Sequence, residues 1–326
     1  MQYVTFDKVG RVFLTLALFC VGFHASWAAT HDEPRMTPLM EAAYRGDLAT
    51  VRALVENGAD INEKNAYGAT AIMMAAGAGL VTPQTYQGDT EVLKYLIDQG
   101  ADVNAVGGND TTALRYAVMH GNARSVQVLL DHGADINAGR GSGQTALAEA
   151  VLRNDLALVQ LLLNRGATLN GYTDPNGRTP LMQAIAQYHP VPPGLDANTP
   201  TWELLTKAVP FMIQNKIIDL LLQHGASVEG MDRSGETALT LAAGQGRTSI
   251  VKQLLDHHAP INTPNRDGMT ALMIAARDGN RPLVDYLIRS GADVAYRNSH
   301  GDTARRLALE RHQAAVESLL DDAEKH

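Results

Sequence analysis

One pattern recurs eight times in this chain, and a chain that repeats itself at short intervals folds as a row of similar units. Gly-Ala pairs begin at Gly58, Gly100, Gly133, Gly166, Gly225 and Gly291, and His258-Ala259 fills the same slot. The gaps between these seven places are 42, 33, 33, 59, 33 and 33 residues. Four gaps are equal, so the two longer ones mark insertions. A unit this short cannot bury its own apolar side and must lean on the units beside it, which produces a stack.

A second register gives the same period. Thr37, Thr70, Thr112, Thr145, Thr179, Thr237, Thr270 and Thr303 each stand five residues before an alanine, from Ala42 to Ala308. Leu or Ile follows two residues after the Thr in every unit except the last, which has Arg305. The stretch Thr112–Asn137 serves as the ruler. Thr112 is an N-cap, because its hydroxyl can accept a bond from a free amide of the first helical turn. Leu114 and Ala117 share one helical face; Gly121 breaks the chain; Val126, Leu129 and Leu130 mark a second face. Gly133 then ends the second helix in the left-handed region, where a side chain costs energy. Thr37-Pro38 and Thr179-Pro180 add a proline at the first helical position, where its missing N–H is harmless.

The motifs TPLMEA, TAIMMA, TALRYA, TALAEA, TPLMQA, TALTLA, TALMIA and TARRLA resemble the T-P-L-H-x-A signature of ankyrin repeats, whose period is also 33 residues. The histidine of that signature is missing from every unit, which implies altered local bonding rather than another fold. The resemblance implies an all-α solenoid of eight helix-turn-helix units with two insertions, spanning Asp32 to about Ala323. It also implies that partners bind at the turn tips and first helices, on the concave side. Carried onto this sequence, that surface includes Tyr44, Arg45, Tyr67, Asn109, Met119, His120, Arg140, Gln144, Arg153, Asn176, Arg178, Arg233, Ser234, Glu236, Gln245, Arg266, Asp267, Met269, Arg277 and Asp278. The arginines make it basic in an acidic protein. They are suited to paired bonds with carboxylates, and equally to weak local pairing with Asp and Glu; both readings stay open.

The insertions lie near 79–88 and 189–214, each between the first and second helix of its unit, so both leave the same edge. The second holds Trp202 and Phe211, the only Trp and Phe after residue 27, with Tyr188 at its border; Tyr86 sits in the first. Such aromatics anchor interfaces or pack back onto their own fold, and the sequence allows either. Pro210 is expected to open an extended second helix. Arg305 is expected to make the final unit polar on its outer side, as a terminal cap requires.

The first 28 residues read as a signal peptide. Lys8 and Arg11 precede the apolar run Val12–Phe23, and Ser26 and Ala28 suit cleavage before Ala29. That order of charged, apolar and small residues is the secretory one. Twelve helical residues reach only about 18 Å, short of a roughly 30 Å hydrocarbon core. The expected location is therefore periplasmic or secreted, with no membrane span in the mature chain. The single cysteine, Cys20, lies in the apolar run, so the mature chain has neither disulfide nor thiol nucleophile.

A net charge of -8 gives no general attraction to nucleic acid. GRGSGQT at 139–145 lacks the lysine of a phosphate loop and falls at a repeat turn. Met40, Met73, Met182 and Met273 recur at one position of the repeat, and equivalent positions in neighbouring units are about 10 Å apart, too far to share a metal ion, so they are packing residues. His132, His224 and His257 stand at helix C-termini, where a cation offsets the dipole. No catalytic constellation, cofactor motif or metal site emerges. The expected function is non-catalytic protein binding by a monomer, as a periplasmic adaptor or chaperone-like factor, or alternatively as an inhibitor or immunity protein blocking a toxin or resident enzyme. The residues expected to meet a protein partner are Tyr86, Trp202 and Phe211 on the insertion edge, and Arg140, Arg153, Arg178, Arg233, Arg266 and Arg277 on the concave side.

Overall fold

The computed structural model describes residues 36–77, 90–139, 145–170, 173–187 and 201–325, with the backbone alone over 201–209. The signal stretch 1–28 with Cys20, the first insertion with Tyr86, the border residue Tyr188, Arg140 with most of the 139–145 turn, and the Trp202 side chain lie outside what is described. Sixteen α-helices form eight pairs among the described residues. The first helices are α1 (Pro38–Arg45), α3 (Ala71–Gly77), α5 (Ala113–Met119), α7 (Ala146–Leu152), α9 (Pro180–Ala186), α11 (Ala238–Gly244), α13 (Ala271–Arg277) and α15 (Ala304–Glu310). The second helices are α2 (Leu48–Glu56), α4 (Glu91–Asp98), α6 (Ala123–Asp131), α8 (Leu156–Asn164), α10 (Thr201–Gln223), α12 (Thr248–Asp256), α14 (Arg281–Arg289) and α16 (Ala314–Ala323). No helix of the described residues is long and apolar enough to cross a membrane.

Both sequence registers have a physical role in the stack. Seven of the eight threonines cap their helix: the Thr37, Thr112, Thr145, Thr179, Thr237, Thr270 and Thr303 hydroxyls accept from the amide three residues on. The eight alanines five residues later are all buried, at most 5% exposed. Their small side chains let each first helix lie close against the next, from α1 on α3 through α13 on α15, more extensively than the second helices meet one another. Tighter contact on one side curves the stack toward the first helices, which line the concave side. Met40, Met73, Met182 and Met273 are core residues, each 1% exposed, where the flexible thioether fills the gaps between helices.

The second helices bury one narrow stripe. In α14 it is Leu283, Val284 and Leu287. His132 and His224 bond their Nδ1 to the carbonyl four residues back, at 2.7 and 2.9 Å, so they finish helix ends. His258 occupies the glycine slot at φ +65°, a conformation that costs a side-chain-bearing residue about 1 kcal/mol. Arg305 stands half-exposed on the final unit, its guanidinium pairing with Asp321 of α16 at 2.9 Å and with Glu324, just past that helix, at 3.3 Å.

An asparagine ladder ties the loops that join successive units. Asn62 accepts from the Asp102 amide, Asn104 from Asp135, Asn137 from Thr168, Asn170 from Ser227 and Asn262 from Asp293, all at 2.7–2.9 Å. The equivalent position holds Glu229 in one unit and Ala295 in the last. Both lapses have a physical reason. The residue facing Glu229 in the next loop is Pro260, which has no N–H to donate, and among the described residues no later inter-unit loop lies beyond that of Ala295.

One helix departs from the sequence expectation. Pro210 does not open α10 but lies inside it, in a helix of 23 residues. The corresponding second helices begin at the place of residue 215, so α10 runs about fourteen residues further, roughly 20 Å. A proline there leaves the fourth carbonyl before it without its helical donor. The Pro210 carbonyl itself accepts from Asn154 Nδ2 at 3.0 Å, which fixes the long helix to the turn of the preceding unit.

Candidate partner-binding surface

The first helices all run the same way, so the concave side has two rims. Turn tips form one rim, just before each capping threonine. The helix C-termini form the other, and both insertions depart from this far rim, after Gly77 and Gln187. The arginines of the expected stripe divide between the two. Arg178, Arg233 and Arg266 belong to the tips. Arg153 and Arg277 belong to the far rim, a full first helix away, about 10 Å.

At the tips, an Asx turn positions each unit. Asp232 Oδ1 accepts from the amides of Ser234 and Glu236, and Asp174 and Asn265 do the same in their own turns. Neighbouring tips touch through backbone. The Arg233 amide donates to Asn176 at 2.8 Å. A Cβ on Gly177 would lie 2.9 Å from the Arg233 nitrogen, and one on Gly235 would lie 2.7 Å from the Arg266 nitrogen. These glycines are required twice, for close approach and for φ of +78° and +77°.

The arginines differ in how they are held. Arg178 Nε meets Asp232 Oδ2 at 3.2 Å, Arg277 forms a two-point pair with adjacent Asp278 at 2.8 and 3.2 Å, and Arg153 donates to the Met119 carbonyl at 2.5 Å. Arg233 and Arg266 are exposed. Phe211 is half-buried, with the Arg247 guanidinium 5.6 Å from its ring centroid. Its ring therefore packs against the next unit.

Burial alone would raise the pKa of Asp232, but bonds from the Ser234 hydroxyl, the Glu236 amide and Arg178 outweigh it and hold the carboxyl below the usual value of 3.8. A depressed carboxylate stabilises the fold fully above its unfolded value. That contribution is lost as pH falls through the lower folded value. Asp232→Asn is therefore expected to cost stability at pH 7 and to cost less as the pH drops below 3.8. Urea unfolding of both proteins across pH 2–7 checks this, and a difference independent of pH would contradict it.

The far rim carries a feature that sequence reading only half found. Met119 and Leu152 stand at equivalent places, seven residues after their threonines, and are 36% and 48% exposed. Beside them the Tyr116 and His120 rings lie 4.4 Å apart. The Tyr116 ring occupies the space left by Gly77, where a Cβ would sit 2.5 Å from it. Burial first, and Tyr44 nearby, push the Tyr116 phenol up. Leu152 and Tyr116 were not among the expected contacts. Aligning the units at that slot would have found Leu152, since Tyr44, Met119 and Leu152 are apolar where later units have Ala186, Gly244, Arg277 and Glu310.

Models of ankyrin repeats in three copies match residues 14–83, 39–140, 202–265 and 245–326, and a model of ankyrin repeats in many copies matches 124–163. The chain belongs to the ankyrin-repeat family. The crystal structure of the human ASB11 ankyrin repeat domain is similar in fold, with a TM-score of 0.56 and 24% identity, over 79% of this chain and 99% of that one. No curated protein matches the chain in sequence. The ankyrin fold makes this a protein–protein interaction module. In this ankyrin stack the tips offer arginines and the far rim offers apolar side chains between two insertions.

Proposed function

We propose that this protein is an exported ankyrin scaffold that holds one partner protein against its concave side without catalysing a reaction, as an adaptor or chaperone-like factor in the periplasm. The observation that carries the reading is the side-by-side exposure of Met119 and Leu152 on the far rim, next to the Tyr116–His120 pair. Protein interfaces are enriched in Met and aromatic side chains relative to the rest of the surface. Here they stand on packed helices, so little ordering opposes binding. The apolar run Val12–Phe23 and the small residues Ser26 and Ala28 support export.

A photo-crosslinking residue at Leu152 is expected to capture one partner in cells, while the same residue at exposed Gln127 on α6 captures none. Equal labelling from both positions would overturn the reading. Protein recovered from the periplasmic fraction is expected to begin at Ala29; an uncleaved cytosolic chain would overturn export. The captured partner's activity should be unchanged or raised, and stoichiometric inhibition would instead make the protein an inhibitor.

A further inference from the structure

We propose that the tips bearing Arg233 and Arg266 hold an extended acidic segment of the partner, reading two carboxylates three residues apart. The inference rests on the protein-binding reading above and adds the chemistry of what is bound.

Arg233 and Arg266 occupy one slot in adjacent units, four residues before Thr237 and Thr270. Both are exposed, and neither side chain has a hydrogen bond or ion pair among the described residues. The charged groups around them are otherwise engaged. Asp232 holds Arg178, Glu236 accepts from Asn265 Nδ2 at 2.7 Å, Arg277 holds Asp278, and Asp302 pairs with Arg306 at 3.0 Å. Of the neighbouring carboxylates, Asp267 and Asp174 are left without a side-chain partner among the described residues, Asp174 accepting from backbone amides alone. The two guanidinium groups are thus left to take carboxylates from outside, on a chain of net charge -8.

Spacing selects the ligand's form. Equivalent places in packed units are about 10 Å apart, and the backbone of the two tips is in close contact at Gly235. A polyproline II segment turns once in three residues and rises about 9.3 Å, so residues i and i+3 face the same way. A β-strand instead places same-side residues roughly 7 or 13 Å apart. A partner helix would need an apolar strip to bury, and near these tips the exposed large apolar side chain is Met231 alone among the described residues. A long polyanion would be repelled by the overall charge.

Fluorescence anisotropy on the full chain tests the inference, using proline-rich nonapeptides with Asp at i and i+3, Asp at i and i+1, or Asn in place of both. The i, i+3 peptide is expected to bind about five- to tenfold more tightly than either control, and less tightly in 0.5 M salt. Arg233→Glu with Arg266→Glu should abolish that preference, while Arg281→Glu on α14 should preserve it. Should the double variant melt at a lower temperature than wild type, Arg→Gln at both positions takes its place. Equal binding of the two spacings, indifference to the double substitution, or tighter binding of an oligonucleotide of equal charge would each overturn it. Loss of peptide preference with Leu152 crosslinking intact would reject this inference alone; loss of both would reject the protein-binding reading.

Discussion

Gly235→Val is expected to lower the free energy of unfolding by about 3–4 kcal/mol. The backbone there has φ +77°, where a side chain costs about 1–2 kcal/mol. The added Cβ would also lie 2.7 Å from the Arg266 nitrogen and 2.9 Å from its Cβ. Backbone cannot swing aside as a side chain can, so the two tips must separate, and overpacking of this kind costs a further 1–3 kcal/mol or so. Gly58 separates the two causes. Its φ is +86°, yet nothing lies within 4 Å of a Cβ placed on it, so Gly58→Val should lose about 1–2 kcal/mol, the backbone cost alone. Urea unfolding of both variants decides the matter; equal losses would show that the tips yield without cost.

Arg247→Ala is expected to cost about 3 kcal/mol and to loosen α10. Arg247 stands before α12, where other units place Asp47, Asn122, Asp155 and Asn280, whose side chains cap their helices. It makes no such cap. Its guanidinium instead bonds Asn215 and covers the Phe211 ring, and the residue is only 5% exposed. Charge-assisted bonds contribute about 1.5–3 kcal/mol and a desolvated cation–π contact about 0.5–2 kcal/mol. Restoring a cap with Arg247→Asn returns about 1 kcal/mol, so that variant should fall between alanine and wild type. Thermal melts with hydrogen exchange over 201–223 check both claims; an Asn variant as stable as wild type would mean the tether contributes no more than a cap.

Why the fold was legible, and much of the site was not, follows from the range of the interactions. A capping threonine and a helix-ending glycine act within a few residues, and a small alanine acts on the equivalent helix one unit away, so their 33-residue register reports the fold directly. Pro210 was misplaced because a proline in the first helical turn is cheap and one inside a helix is not. The Asn154 contact that fixes α10 there joins residues 56 apart in sequence. The arginine stripe was read from repeat positions alone. Those positions do not say that Arg178 is spoken for by Asp232 or that Arg153 spends its guanidinium on the Met119 carbonyl. Phe211 shows the same limit: its neighbour Arg247 comes from the next unit, and an arginine where others carry Asp or Asn was the available hint.

The missing rung between Glu229 and Pro260 has a mechanical meaning. The two loops it fails to join are those whose tips carry Arg233 and Arg266. They are fastened at the tips, through Gly235 and the Asn265–Glu236 bond, but not at the base. Bending of the stack is therefore expected to open this joint at its base before its tips part. A ligand held by Arg233 and Arg266 would therefore sit at the end of the joint that parts last.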